Sequence, residues 1–391
     1  MKYWNYIKKM DATTILVICF FGILFLFFLM NSYVYIGILS EITGKIVKNE
    51  DVNLNEEKER LSYLTQANIW RKDDFIDLNG WMYNMLGRRE MNGVYKMSNG
   101  CLTFVKPYVD TSSFAESTII LYNELSKRGI DMLYTQAPFK NESSQNLLPP
   151  SIYSYSDRNA DDFLKAITNA NVPVLNFKTK IQEENMDFDS LFYRTDFHWN
   201  TQAGFWAFQK IAEKIKNDFD INIDSMITDI TQYTIEIHKS LFRGAHAQRT
   251  GKHYAGLDDI SFFIPAFPTQ FSIQLSSLDA KEGKFEETLL NRELLSLHPY
   301  MVHLGSDYSL TIKNHLIGNG KKIMIIKDSF ALPVIPFLAL AFKQVEVIDL
   351  RYGKHESLIN TIDSMKPDIV VFIYTSATLD VNPLFNFFEP Q

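Results

Sequence analysis

Apolar positions follow two alternating rhythms along the chain. Residues 112–128, 157–170 and 201–219 place them at helical spacing, whereas 130–134 and 172–177 are short apolar runs. The alternation resumes after a long middle section. Residues 322–326 read as a strand, 330–342 as a helix, 345–350 as a strand, 355–365 as a helix and 368–374 as a strand. Several of these strands are almost continuously apolar, the pattern of strands covered on both faces of a parallel sheet. Strands alternating with helices predict an α/β sandwich with a central parallel sheet of five core strands. The segment from about 227 to 315 interrupts the rhythm with period-two stretches at 233–237 and 271–275. It is expected to be a β-containing insertion walling one end of the sheet, the end where ligands of such sheets bind. Further upstream, 94–97 and 101–105 flank Ser98-Asn99-Gly100 and predict a hairpin.

The N-terminal pattern is different. No charged residue occurs between Asp11 and Glu41; 15–30 is unbroken apolar sequence and 33–39 extends it. About 20 apolar residues suffice to span a bilayer. Lys2, Lys8 and Lys9 precede the run, so the positive-inside rule puts the N-terminus in the cytoplasm. No A-x-A-like site follows, and the run is long for a signal sequence. The expected organisation is therefore a cytoplasmic N-terminus (1–12), a transmembrane anchor (13–39), a charged stalk (40–68) containing Glu56-Glu57-Lys58-Glu59-Arg60, and an extracytoplasmic domain (69–391) on a single-pass anchor in the cell membrane.

Composition narrows the chemistry. The 391 residues carry a net charge of −7 and show no basic stripe, which argues against nucleic acid as a partner. The only cysteines are Cys19, inside the apolar run, and Cys101, far outside it. That excludes a disulfide scaffold and a Cys-rich zinc site. Aromatic residues make up 14%, enough for sugar stacking, although packing of an α/β core accounts for most of them.

Two motifs carry candidate chemistry. The first is Tyr193-Arg194-Thr195-Asp196-Phe197-His198-Trp199-Asn200. In an extended segment, Asp196 and His198 would point to the same side. A carboxylate beside an imidazole fixes its tautomer and stabilises the imidazolium, as a general base requires. Asn200 or Thr201 would cap the following helix. Alone, Asp-x-His equally describes a surface loop. The second motif is Ile325-Ile326-Lys327-Asp328-Ser329-Phe330, where a predicted strand gives way to a helix. A serine there lies at the carboxyl end of the sheet, and the backbone N–H groups of Ser329 and Phe330 are candidates to hold an oxyanion. It would otherwise be a plain helix cap. Together, Ser329, His198 and Asp196 supply a nucleophile, its base and an orienter. No G-x-S-x-G elbow is present, which disfavours the common α/β-hydrolase arrangement.

The Tyr-Arg-Thr-Asp-x-His-Trp string followed downstream by Lys-Asp-Ser-Phe resembles the DHHW family and the related AlgX- and AlgJ-type alginate acetylation proteins. The stretches 87–95 and 347–352 add to a resemblance that spans about 70–375. It implies an SGNH-hydrolase-like, flavodoxin-like three-layer sandwich in which Asp196 and His198 precede the nucleophile Ser329. It also implies acetyl transfer to, or ester hydrolysis on, a cell-surface polysaccharide, with a multi-spanning membrane acyltransferase as the partner that supplies acyl groups. No cofactor is implied. Phe197 stands where the family string has its first histidine, at a position expected to point away from Asp196 and His198.

Arg351 and Tyr374, near strand ends, are candidates to line the site, with packing or ion pairing as the alternative. His246 and His253 would complete a metal site only if they met Asp196 and His198; Trp199, Phe205 and Trp206 read as core. Two functions compete with the serine enzyme: a non-catalytic polysaccharide-binding or scaffold subunit of an exopolysaccharide modification complex, and a metal-dependent hydrolase.

Overall fold

The computed structural model describes residues 11–47, 58, 62, 68–142, 147–275, 280–305, 309–317, 320–352 and 357–388. Lys2, Lys8, Lys9 and most of the expected stalk lie outside them. Two compact units are present, Met1–Leu78 and Asn79–Gln391.

In the first unit, helix α1 (Ala12–Val47) contains Ala12–Glu41, the one helix among the described residues long and apolar enough to cross a membrane, with a mean hydropathy of 2.8 over its most apolar window. Its side chains are largely exposed, including Cys19, which is a free thiol, as is the half-buried Cys101. Helix α2 (Lys72–Met85) begins in this unit and ends in the second.

The hairpin predicted around Ser98-Asn99-Gly100 forms between β2 (Val94–Lys96) and β3 (Leu102–Thr103), and β1 (Glu90–Met91) adds to its edge. Helix α3 (Ser112–Lys127), β4 (Asp131–Ala137), α4 (Ser156–Asn169), β5 (Val174–Asn176), α5 (Phe177–Glu183) and α6 (Thr201–Phe219) then alternate. Next come β6 (Tyr233–Phe242), α7 (Ala245–Thr250), β7 (Asp258–Pro265), β8 (Phe271–Leu275), β9 (Lys281–Gly283) and β10 (Leu310–Asn314). The chain finishes with β11 (Lys322–Lys327), α8 (Ile335–Ala341), β12 (Gln344–Ile348), α9 (Leu358–Met365) and β13 (Ile369–Thr375).

The main sheet has the order β5-β4-β13-β11-β12-β10-β8-β9. Its first five strands are the expected parallel ones. Successive residues face opposite layers. Ile323, Ile325, Ile369, Val371 and Ile373 join α5, α6 and α8 on one face, while Met324, Ile326, Val370, Phe372 and Tyr374 join α3, α4 and α9 on the other. This double burial explains the unbroken apolar runs, and it makes the fold the SGNH-hydrolase-like three-layer sandwich.

Two expectations are corrected. The sheet is mixed rather than parallel throughout: β10 pairs antiparallel with β12 and β8, and β8 with β9. Of the described strands of the 227–315 segment, β6 and β7 alone form a separate sheet. An alternating sequence identifies a strand but not its partner, and the outer edge of β12 needs partners for its backbone groups. The helix expected over 330–342 is broken into a 3₁₀ turn, Ser329–Ala331, and α8. Pro333 and Pro336 lack the N–H that a continuous helix interior requires, and Pro336 is accepted in the first turn of α8.

Candidate active site

The loop carrying Asp196 and His198 is closed at its neck by a bridge between Phe192 and Trp199. It is not the extended segment that the spacing suggests. The two residues meet because the Asp196 carboxylate folds back on its own turn. Oδ1 accepts the His198 backbone N–H (2.9 Å) and lies 2.6 Å from His198 Nδ1, a local side chain-to-backbone device typical of Asp in turns. Asn200 then caps α6, its side chain accepting from Ala203 N at 3.0 Å.

The second half arrives from β11. After Lys327 the chain turns sharply, and Asp328 caps the 3₁₀ turn by accepting the Phe330 N–H at 2.8 Å. Its other oxygen accepts from Thr375 N (2.6 Å) and Thr378 Oγ1 (3.2 Å), fixing the turn to the end of β13. Ser329 Oγ lies 2.7 Å from His198 Nε2. The Trp199 indole donates to the Phe330 carbonyl at 2.6 Å and ties the two motifs together. Because Asp328 already takes the Phe330 N–H, the expected oxyanion role of that group is revised.

Exposure is graded along this chain of groups. Ser329 keeps 9%, His198 7% and Asp196 only 2%, so the carboxylate is the most deeply buried of the three. Burial works against the Asp196 charge. Electrostatic attraction to His198 and its hydrogen bonds, together with the N–H of Ala245, outweigh it and hold the carboxyl well below the usual range. The Ala245 N–H reaches Asp196 Oδ2 at 2.6 Å.

Ala245 belongs to the segment between β6 and β7, which clamps the loop. The Asp258 carboxylate accepts from both Thr195 N and Thr195 Oγ1 at 2.7 Å, and Ala247 N donates to the Thr195 carbonyl at 3.1 Å. Gly244 makes the approach possible: a Cβ there would come within 2.5 Å of the Thr195 oxygen and 2.6 Å of Asp196 Cβ. The insertion thus packs against the loop through α7 and its flanking turns.

Three contributors escaped sequence reasoning. Lys140 is buried, and its ammonium donates to the carbonyls of Leu102 (3.0 Å) and Arg194 (3.3 Å) and, more closely, to those of Tyr193 and Asp196. Burial draws it down to about 8. Tyr300 stacks on the His198 ring with centroids 3.9 Å apart and planes 14° apart. Phe197, expected to point away, lies against the same imidazole with centroids 3.9 Å apart; the tight turn brings adjacent side chains together where an extended strand would have separated them. Only Phe197 had any signal in sequence. A lysine and a tyrosine far away in the chain have no local pattern that ties them to the loop.

The other candidates are held in contacts of their own. The Tyr374 hydroxyl donates to the Leu384 carbonyl at 2.9 Å, within the core layer of α3 and α4. Arg351 binds Asp349 through Nε (2.9 Å) and Nη2 (2.6 Å), and Asp349 also pairs with the buried Lys327 at 2.8 Å. His246 is buried against Phe104 and Phe197, and burial pushes it down to about 3; His253 is exposed. Among the described residues, no group of three or more His, Cys, Asp or Glu side chains gathers to hold a metal. A hollow of about 640 Å³ lies at the amino ends of the strands, beside Asp131, Lys321 and Asp368, away from Ser329.

Known proteins are similar to this chain in sequence over one stretch and in fold. Residues 115–247 match the family described as ALGX: SGNH hydrolase-like domain, acetyltransferase AlgX. The fold is similar to that of Bacillus cereus PatB1, with a TM-score of 0.64 and 20% identity over 75% of this chain and 99% of that one. PatB1 with a sulfonyl adduct gives 0.62 and 18% over 76% and 100%. A DHHW family protein from Eubacterium siraeum gives 0.59 and 16% over 77% and 98%. No curated protein sequence matches the chain significantly.

Proposed function

We propose that this chain is a membrane-anchored serine acyltransferase or esterase acting on O-acetyl groups of cell-surface polysaccharide. The observation that carries the reading is the continuous hydrogen-bonded path from Ser329 Oγ through His198 to Asp196, at 2.7 and 2.6 Å. Ser329 Oγ attacks the acyl carbonyl and its proton passes to His198 Nε2. The imidazolium, stabilised by the Asp196 carboxylate, returns that proton to the departing oxygen. An acceptor hydroxyl, from a sugar or from water, then loses its proton to His198 as its oxygen attacks the acyl carbonyl, and that proton returns to Ser329 Oγ as the acyl group leaves it. The Ser329 N–H is the backbone candidate for the developing oxyanion.

Acetyl and polysaccharide, as substrate classes, rest on the AlgX-type match over 115–247 and the motif resemblance. The anchor rests on α1, and its orientation on Lys2, Lys8 and Lys9, from which the positive-inside rule would have the enzyme domain outside the cytoplasm. A multi-spanning acyltransferase is the partner that would deliver acyl groups across the bilayer.

The test is turnover of a small acetyl ester, with chelator present, by Ser329→Ala, His198→Ala, their double mutant and Asp196→Asn. Triad members act as a unit, so the double mutant should be hardly slower than either single one. Asp196→Asn should keep the fold and lose about 10⁴-fold in rate, through the wrong imidazole tautomer. Full activity in Ser329→Ala refutes the mechanism. A reporter fused after Gln391 that is active in the cytoplasm refutes the orientation.

A further inference from the structure

Helix α2 has two unlike faces. One is built for close packing. Gly80 faces the Thr250 carbonyl, which a Cβ would approach to 2.0 Å, and Tyr83 packs against the Met91, Val94 and Tyr254 cluster. The opposite face carries Phe75, Leu78, Met82, Met85 and Leu86. At about 100° per residue, all five lie within roughly 60° of the direction opposite Gly80. They are exposed by 49, 54, 49, 69 and 70% respectively, and Trp81 (47%) borders them. Five large apolar side chains in one unbroken stripe exceed the scattered exposure that a soluble surface tolerates.

A second observation identifies what covers the stripe. The start of α2 lies beside α1: Trp70 N donates to Asn31 Oδ1 at 2.8 Å, and the rings of Phe27 and Phe75 are 5.8 Å apart in an edge contact. Asn31 and Ser32 are the first polar residues after the 15–30 run. Asn31 is 19 residues beyond Ala12, which at 1.5 Å per residue is about 29 Å along the helix. That length matches a hydrocarbon core of about 30 Å. The contact therefore falls at the far edge of the bilayer that α1 would cross, the level where Trp70 and Tyr35 are suited to reside.

We propose that α2 is an interfacial helix, lying with its Phe75–Leu86 stripe among the lipid headgroups and upper acyl chains while its Gly80 face holds the enzyme domain. Arg71 precedes it and Lys72 opens it, cations suited to lipid phosphates, and Arg71 is partly offset by its pair with Asp74. The inference rests on the anchoring part of the proposed function but not on its chemistry. It makes the attachment two-pointed, by a span and by an in-plane helix.

The test uses the full-length chain with Cys19→Ala and Cys101→Ala, reconstituted into vesicles of phosphatidylethanolamine and phosphatidylglycerol. A nitroxide is placed by Met82→Cys or Met85→Cys, with Asn217→Cys, on an exposed helix face, as the aqueous reference and Leu24→Cys as the reference for the span. Collisions with oxygen, which concentrates in lipid, and with a water-soluble nickel chelate are measured. The oxygen-to-nickel ratio at 82 and 85 should be several-fold above that at 217 and below that at 24. A ratio equal to that at 217 overturns the proposal. So does low collision with both reagents, which would indicate a protein partner or a second copy over the stripe. A water-like ratio at 24 overturns the anchor and the proposal together, whereas inactivity on esters with lipid-like ratios at 82 and 85 leaves the interfacial helix standing.

Discussion

Lys140→Met isolates what the buried cation does for the site. Methionine keeps the unbranched shape and removes the donors. The ammonium carries a burial cost, since bringing it from 10.5 to about 8 is worth roughly 3 kcal/mol at 1.4 kcal/mol per pH unit, and methionine escapes that cost. Against this, the carbonyls of Leu102, Tyr193 and Asp196 lose their ammonium donor, whereas that of Arg194 still accepts from Leu102 N at 2.9 Å. At about 1–3 kcal/mol for each buried group left unsatisfied, three carbonyls cost about 3–9 kcal/mol. The net loss is therefore about 0–6 kcal/mol, and part of it would be recovered by the 193–196 loop moving to find other donors. That movement is the functional consequence. A shift of about 1 Å in the orientation of Asp196 and His198 is enough for a rate loss of about 100-fold. Steady-state turnover of an acetyl ester should show kcat falling by about that factor, with KM nearly unchanged, beside a lowered thermal midpoint. A lowered midpoint with wild-type kcat would refute the positioning role and leave Lys140 as packing. Unchanged values of both would refute the dependence of the loop on its ammonium altogether.

Two further outcomes follow from the same coordinates. The Glu142 carboxyl is buried beside the Ser376 hydroxyl, and burial pushes it up from 4.5 to about 8. The folded chain thus keeps a proton that the unfolded chain releases, so this stabilisation is complete below about pH 4.5 and is lost as pH rises through about 8; thermal midpoints measured from pH 5 to 8 should fall less steeply in Glu142→Gln than in wild type, and equal slopes would contradict the buried acid. Gly244→Ala forces a methyl onto the Thr195 carbonyl and Asp196 Cβ and should cost about 1–3 kcal/mol of stability as overpacking together with most of the ester turnover; a variant as active and stable as wild type would show that α7 does not clamp the loop.

Much of the architecture is written locally. The runs around Ile325 and Val371 are apolar on both faces because both faces are covered, and Asn200 ahead of a 3.6-residue pattern marks the start of α6 where the structure has it. Asp196 and His198 were legible as a pair for the same reason: they are two residues apart, and an Asp in a turn reaches its own backbone. Phe197 lies against the imidazole because the loop is a turn, whereas on extended backbone neighbouring side chains diverge.

By itself, then, the sequence determined which segments are strands and helices, where an apolar span begins, and that a carboxylate, an imidazole and a strand-end serine are available. These are properties of short windows, set by side-chain periodicity and by hydrogen bonds within a few residues. Tertiary structure alone decided that Ser329 meets His198 across 131 residues, that β8 and β10 extend the main sheet, and that Lys140 and Tyr300 reach the same loop. Each is a pairing between distant segments. Backbone amides and carbonyls are alike at every position, and a strand, a lysine or a tyrosine carries no mark of its partner until the sheet order brings the two together.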